Sequence, residues 1–361
     1  MASFPACALF LVASTFSAPI SPGSSGGGLF DEEGRLIGLP TFYLTEGQQL
    51  NFAVPVEWIS ELPQRHTETS KTSQTFIDWF NKAVELEEKQ DWSGLFDHVL
   101  RWTKAEPDAA LAWALLDLSY QMSGQTAKAI EASQRALHIN SDDLLASVTW
   151  KVLGDAYRGS GQATKAIEAY QQALRINPKL DMAWFALAGT YETSGHPTKA
   201  IEAYRQGLQI NPDDSPAWHL LGITCLKSGQ TSSAIEAFQQ VLRIEPAEVS
   251  AWWVLGETYM DSGQTTNAIE AFQQALRIAP EDSTAWNNLG IAYGKSGQAG
   301  KAIEALQQAL RIDPEDSTAW YNLGIAYRKS GQTGQVMDVY KRLKTLAPVL
   351  ADKFFNKIVL P

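Results

Sequence analysis

A serine set between glycines is the first candidate for chemistry in this 361-residue chain. The run Gly23-Ser24-Ser25-Gly26-Gly27 could present the Ser25 hydroxyl on a tight turn. Such a hydroxyl attacks a carbonyl only when a histidine takes its proton and an acid orients that histidine. The residues ahead of Ser25 contain no His, Asp or Glu. The histidines His66, His98, His138, His196 and His219 all follow it. Ser25 is thus either a turn residue or a nucleophile whose partners lie in a longer product. The missing base favours the turn, so catalysis is not expected of the chain as written.

Other chemistries are poorer still. Cys7 and Cys225 cannot build a disulfide framework or a metal site. His138, His196 and His219 lack metal-ligand spacing, and no metal or cofactor is expected. The net charge is −11 with no cluster of Lys and Arg, which argues against nucleic acid as a partner. No stretch is long and apolar enough to span a membrane as a helix.

The elements that dominate the chain are repeats. Tryptophans recur at 79, 113, 150, 184, 218, 252, 286 and 320, in steps of 34 except for the 37 between Trp113 and Trp150. The stretch Ala251 to Pro280 is representative. Trp252, Leu255 and Tyr259 share one helix face. Gly263 follows where a left-handed residue ends that helix. Ala268, Ile269, Phe272, Ala275 and Leu276 form a second helical stripe, and Pro280 stops it. Asp282 and Ser283 are N-cap candidates for the next hairpin. Gly256, Ala268 and Ala275 let two helix backbones approach closely. One hairpin cannot bury both stripes, so neighbours must stack. The longer step predicts an enlarged loop near Asp142 to Ser147. Cys225 stands where other units carry tyrosine and reads as a core residue.

These positions resemble the tetratricopeptide repeat (TPR), whose pattern falls on Trp252, Leu255, Gly256, Tyr259, Ala268, Phe272, Ala275 and Pro280. The resemblance implies a mainly α fold, a superhelical solenoid of helical hairpins. The array is expected over residues 73–348, about eight repeats with the first degenerate, followed by a capping helix over 349–361 and preceded by a linker over 63–72. It also implies that the residue after each signature tryptophan lines a concave groove for a peptide or partner protein. That series contains Lys151, Phe185, His219, Trp253, Asn287 and Tyr321, with Arg158, Glu257 and Arg328 nearby. Packing between hairpins or against a chain end is the other reading of Phe185, Trp253 and Tyr321. Asp155, four residues after Lys151, argues against a two-carboxylate clamp.

Residues 1–62 are different. Turn signals at Asp31-Glu32-Glu33-Gly34 and Thr45-Glu46-Gly47 separate apolar runs, and Leu36 to Tyr43 and Leu50 to Val56 read as paired strands. With Gly23 to Gly27, Leu29-Phe30, Ile37-Gly38 and Asn51-Phe52-Ala53-Val54-Pro55-Val56, this segment resembles the end of a trypsin-like serine protease domain of the HtrA-like type. The resemblance implies that Ser25 matches the nucleophile and that Gly23 and Ser25 supply oxyanion-hole N–H groups. It also implies a location in the cell envelope or periplasm. The apolar run Ala6 to Ala13 reads as a signal core or a buried strand, and a cytoplasmic location follows if it is not a signal. The expected function is a binding scaffold. The alternative is the C-terminal part of a larger serine endopeptidase whose repeats recruit substrates or partners.

Overall fold

The computed structural model describes residues 29–30, 36–38, 69–140 and 144–359. The predicted nucleophile loop around Gly23 and Ser25, the predicted strand Leu50 to Val56 and residues 63–68 lie outside the described residues. Two short strands, β1 (Leu29–Phe30) and β2 (Leu36–Gly38), pair antiparallel with Leu29 opposite Gly38 and Phe30 opposite Leu36. A ladder this short belongs to many folds and distinguishes none of them.

Everything else described is helical. The order is α1 (Thr69–Glu88), α2 (Trp92–Ala105), α3 (Ala110–Met122), α4 (Thr126–Ile139), α5 (Leu144–Gly159), α6 (Ala163–Ile176) and α7 (Asp181–Thr193). It continues with α8 (Pro197–Ile210), α9 (Ser215–Lys227), α10 (Thr231–Ile244), α11 (Val249–Asp261), α12 (Thr265–Ile278) and α13 (Ser283–Lys295). The last are α14 (Ala299–Ile312), α15 (Ser317–Lys329), α16 (Thr333–Leu346) and α17 (Pro348–Phe354), which runs into a π-helical turn at Phe355–Val359. The chain divides into two compact units, Met1–Thr190 and Tyr191–Pro361, with the boundary inside α7. In each unit, helices adjacent in sequence pack as antiparallel hairpins.

The sequence dictates the hairpin step by step. Asp282 caps α13 by accepting from the Ala285 N–H at 3.0 Å. α11 ends at Gly263, whose φ is +76°, a conformation that favours a residue without a Cβ. There the Gln264 N–H reaches back to the Tyr259 carbonyl at 2.8 Å and the Gly263 N–H to that of Met260 at 3.3 Å. Gly124, Gly161, Gly195, Gly229, Gly297 and Gly331 repeat the conformation. In the degenerate first hairpin, the equivalent residue is Gln90, at φ +55°.

The two helices of a hairpin meet at a glycine. A Cβ on Gly256 would lie 2.6 Å from a ring carbon of Phe272, which is fully buried on α12. Gly154 faces Tyr170, Gly222 faces Phe238 and Gly290 faces Leu306 in the same way. The core is built from these pairs and from buried alanines such as Ala268 and Ala275. Cys225 is a free, fully buried thiol, as its position predicts.

Two expectations need correction. The three extra residues before Trp150 do not simply enlarge a loop. They extend α5, which has 16 residues where α9, α11 and α13 have 13. The helical region also starts at Thr69, inside the stretch read as linker.

Two substitutions test this account by thermal or urea unfolding. Gly256→Ala should cost about 1–3 kcal/mol through the clash with Phe272. Gln90→Gly should stabilise the first hairpin by up to about 1 kcal/mol, because it removes a left-handed non-glycine residue. A stabilised Gly256→Ala protein would show that the helices are not in this register.

Candidate functional site

The expected partner surface lies on the first helix of each hairpin. Within the first unit α3 packs on α5, and within the second α11 packs on α13 and α13 on α15. Polar bonds tie these helices along that face. Asn288 Nδ2 donates to Glu257 Oε1 at 3.4 Å, and Asn322 Nδ2 donates to Asn287 Oδ1 at 3.0 Å. Lys329 Nζ donates to the Gly294 carbonyl at 3.0 Å. Lys227 pairs with Glu192 at 2.6 Å on the first face of this unit.

The predicted groove residues meet different fates. In the second unit His219 and Trp253 are half-buried, and Leu220 beside them is 46 % exposed. The His219 ring meets the Phe238 ring edge-on at 5.5 Å. Glu257 is half-buried, and burial, then Asp261, pushes its carboxyl up, with the Asn288 bond opposing. Asn287 is buried at 7 % exposure and serves as the acceptor for Asn322. Tyr321 packs edge-on against Phe354 with ring centroids 5.5 Å apart. Arg328 Nη1 donates to the Ile358 carbonyl. The chain's own C-terminal segment therefore covers Tyr321 and Arg328, the chain-end packing that was the other reading of Tyr321.

In the first unit Lys151 pairs with Asp155 at 2.7 Å, four residues along α5. Asp155 also accepts from the Tyr170 hydroxyl at 2.7 Å and lies 3.7 Å from Arg158. Lys151 is thus paired within its own helix. Phe185 is half-buried on α7. Among the described residues, no group of His, Cys, Asp and Glu could hold a metal ion.

Two features escaped the sequence reading. Six signature tryptophans clasp the turn that leads into their own helix. The indole N–H groups of Trp113, Trp184, Trp218, Trp252, Trp286 and Trp320 donate to the carbonyls of Pro107, Pro178, Pro212, Pro246, Pro280 and Pro314 at 2.8–3.0 Å. Trp150 has no proline six residues back. The residue there is Leu144, whose carbonyl accepts from Ser147 Oγ at 2.7 Å. The second is Asp117, fully buried on α3 at the position of the signature glycine. Its hydrogen-bond partner Ser133 occupies the place of the facing aromatic. Comparing that column across the repeats would have found it: Asp117 stands where 154, 222, 256, 290 and 324 are glycine.

Comparison with known proteins bears on the repeats. A tetratricopeptide-repeat family profile matches residues 157–223. A profile described as the C-terminal domain of cilia and flagella-associated protein 70, itself a TPR family, matches residues 226–341. This chain is a tetratricopeptide-repeat protein. The TPR array is also similar to solved structures. The C-terminal part of a TPR repeat-containing protein from Cytophaga hutchinsonii has 16 % identity and a TM-score of 0.58, covering 68 % of this chain and 99 % of that one. That likeness carries the fold alone. MamA is 26 % identical with a TM-score of 0.43, covering 47 % of this chain and 93 % of its own. YrrB, described as a TPR protein with an unusual peptide-binding site, is 19 % identical with a TM-score of 0.46, covering 53 % of this chain and 96 % of its own. No curated protein matches the sequence.

Two substitutions separate clasp from cap in the TPR array. Trp286→Phe should cost about 0.5–1.5 kcal/mol for the lost bond to Pro280, beyond what the change in ring size costs. Phe354→Ala should cost about 3–5 kcal/mol in the last hairpin, because Phe354 is fully buried against Gly324. Urea unfolding followed by hydrogen exchange of the terminal helices reads both, and a Phe354→Ala protein with unchanged protection in α15 would rule out the cap.

Proposed function

We propose that this protein is an interaction scaffold that binds a peptide or partner segment along the first-helix face of its TPR array. The observation that carries this reading is the second unit's face over α9 and α11. There Leu220 is 46 % exposed next to half-buried His219, Ile223 and Trp253. Apolar and aromatic surface of this kind, lined by amide side chains such as Asn288 and Asn322, suits a peptide that brings apolar side chains and backbone hydrogen-bonding groups together. Glu257 would sit at its margin, and Asn287 would contribute through Asn322; Lys151, Arg158 and Phe185 would belong to the first-helix face of the first unit. Tyr321 and Arg328 would become available only if the C-terminal segment moved aside. A likeness in fold to YrrB, described with a peptide-binding site, is compatible with this reading.

A photo-crosslinking amino acid placed at Trp253 tests the proposal in the native cells. Crosslinked partners should appear at position 253 and be absent when the same group replaces Gln240 on the second helix α10. Trp253→Ala should weaken the captured interaction at least tenfold while leaving the array folded. Equal capture at both positions would discard the groove.

The sequence also supports a second reading, in which the array belongs to a larger HtrA-like endopeptidase with Ser25 as nucleophile and Gly23 in the oxyanion hole. Its support is the residue pattern over 1–62. An antibody against the repeats would then detect a native product larger than 361 residues by a hundred or more, and Ser25→Ala would abolish its proteolysis. A product matching this length without proteolysis would leave the scaffold.

A further inference from the structure

The first complete hairpin breaks the packing rule of the others. Where the hairpins opened by α5, α9, α11 and α13 set a glycine against an aromatic or leucine, it sets Asp117 on α3 against Ser133 on α4, both with no exposed surface. Ser133 Oγ donates to Asp117 Oδ2, and Gln121 Nε2 donates to Oδ1 at 2.9 Å. The same Gln121 amide donates to the Val152 carbonyl of α5 at 3.2 Å, so the carboxyl is linked to the next hairpin. Among the described residues, no cation pairs with it. The charged group acting on it is Asp155 of α5, itself held by Lys151 and Arg158 and by the Tyr170 hydroxyl from α6. From α2 the adjoining core receives Val99 and Trp102, and His98 on that helix is taken up by the Trp79 carbonyl. A slot between α3 and α5, lined by Leu111, Ala114 and Leu118 on one side and Leu145, Val148 and Thr149 on the other, reaches the carboxyl.

We propose that Asp117 makes the junction of α3 and α5 a proton-controlled joint. Protonated, it is a neutral core residue and the two helices stay closed. Ionised, it is an uncompensated buried charge that draws water through the slot and loosens α3 from α5.

Burial raises the Asp117 carboxyl from its ordinary 3.8 to about 7, against the lowering effect of its bonds to Ser133 and Gln121. The sign follows from linkage. Between about pH 4 and 7 the opened state has lost its proton while the closed state keeps it. Closure therefore weakens about tenfold per pH unit across that window and levels off above pH 7. This is the reverse of ordinary acid denaturation.

The test is hydrogen exchange of the full chain, with intrinsic rates corrected, over residues 110–159 at pH 5 and pH 7. The opening equilibrium should rise about 50-fold in the wild type. It should stay flat in Asp117→Asn and in the double variant Asp117→Gly with Ser133→Phe, which restores the glycine–aromatic pair of the other repeats. Carbon-detected titration of the wild-type carboxyl should give a midpoint well above 5, whether or not either variant folds. A midpoint near 4, or wild-type exchange that tracks the folded variants, would overturn the proposal.

Discussion

Most of the array depends on one steric constraint: where a hairpin carries glycine at this position, its two helices come so close that a single Cβ will not fit between them. At Gly154, Gly222, Gly256 and Gly290, a methyl group would penetrate the side chain from the second helix. That approach lets Tyr170, Phe238, Phe272 and Leu306 fill the hairpin interior completely. The remaining regularities serve it. The left-handed glycines bring the second helix back along the first. The asparagine and glutamine bonds between hairpins, such as Gln273 Nε2 to the Tyr293 hydroxyl at 2.8 Å, fix the next unit. At Gly324 the filling ring is Phe354 from α17, with Val339 of α16 beside it.

Most of this fold was legible in the sequence because its rules are local. A 34-residue period and a helical stripe are both visible within one window. The signature residues Leu255, Gly256, Tyr259, Ala268, Phe272 and Ala275 are all buried where the pattern puts them. What escaped were features that depend on pairs. The extra residues before Trp150 lengthen α5, since Leu144 and Leu145 are good helix formers and nothing among them stops a helix. The Asp117–Ser133 pair breaks the rule in two places at once, 16 residues apart, and each residue alone looks like an ordinary polar substitution.

The candidate face was legible only in outline. Counting from the tryptophan identifies first-helix positions, yet it does not say which are covered. Asn287 is consumed by Asn322, and Tyr321 and Arg328 by the chain end. These coverings come from residues 30 to 35 positions away, and no stripe or motif announces them. His219 and Trp253 are left as the aromatic part of a face whose polar rim is partly self-satisfied. Residues 1–62 belong to another kind of sequence, and the argument for Ser25 rests on their pattern alone.

The tryptophan clasp explains how such an array can grow. Each bond joins the proline carbonyl at the rear of one unit to the indole at the front of the next. The copies joined by a clasp thus carry a donor at the head and an acceptor at the tail, so a duplicated unit of this kind would bring joints that match both neighbours; only the joint ahead of Trp150 lacks the proline. Lineages can lengthen or shorten the array by whole units without redesigning a contact. Phe354 stands 34 residues after Trp320, where the next indole would be, and a phenyl ring has no N–H. Pro348 is the first residue of α17 and not a turn residue, so neither half of the clasp recurs at this joint.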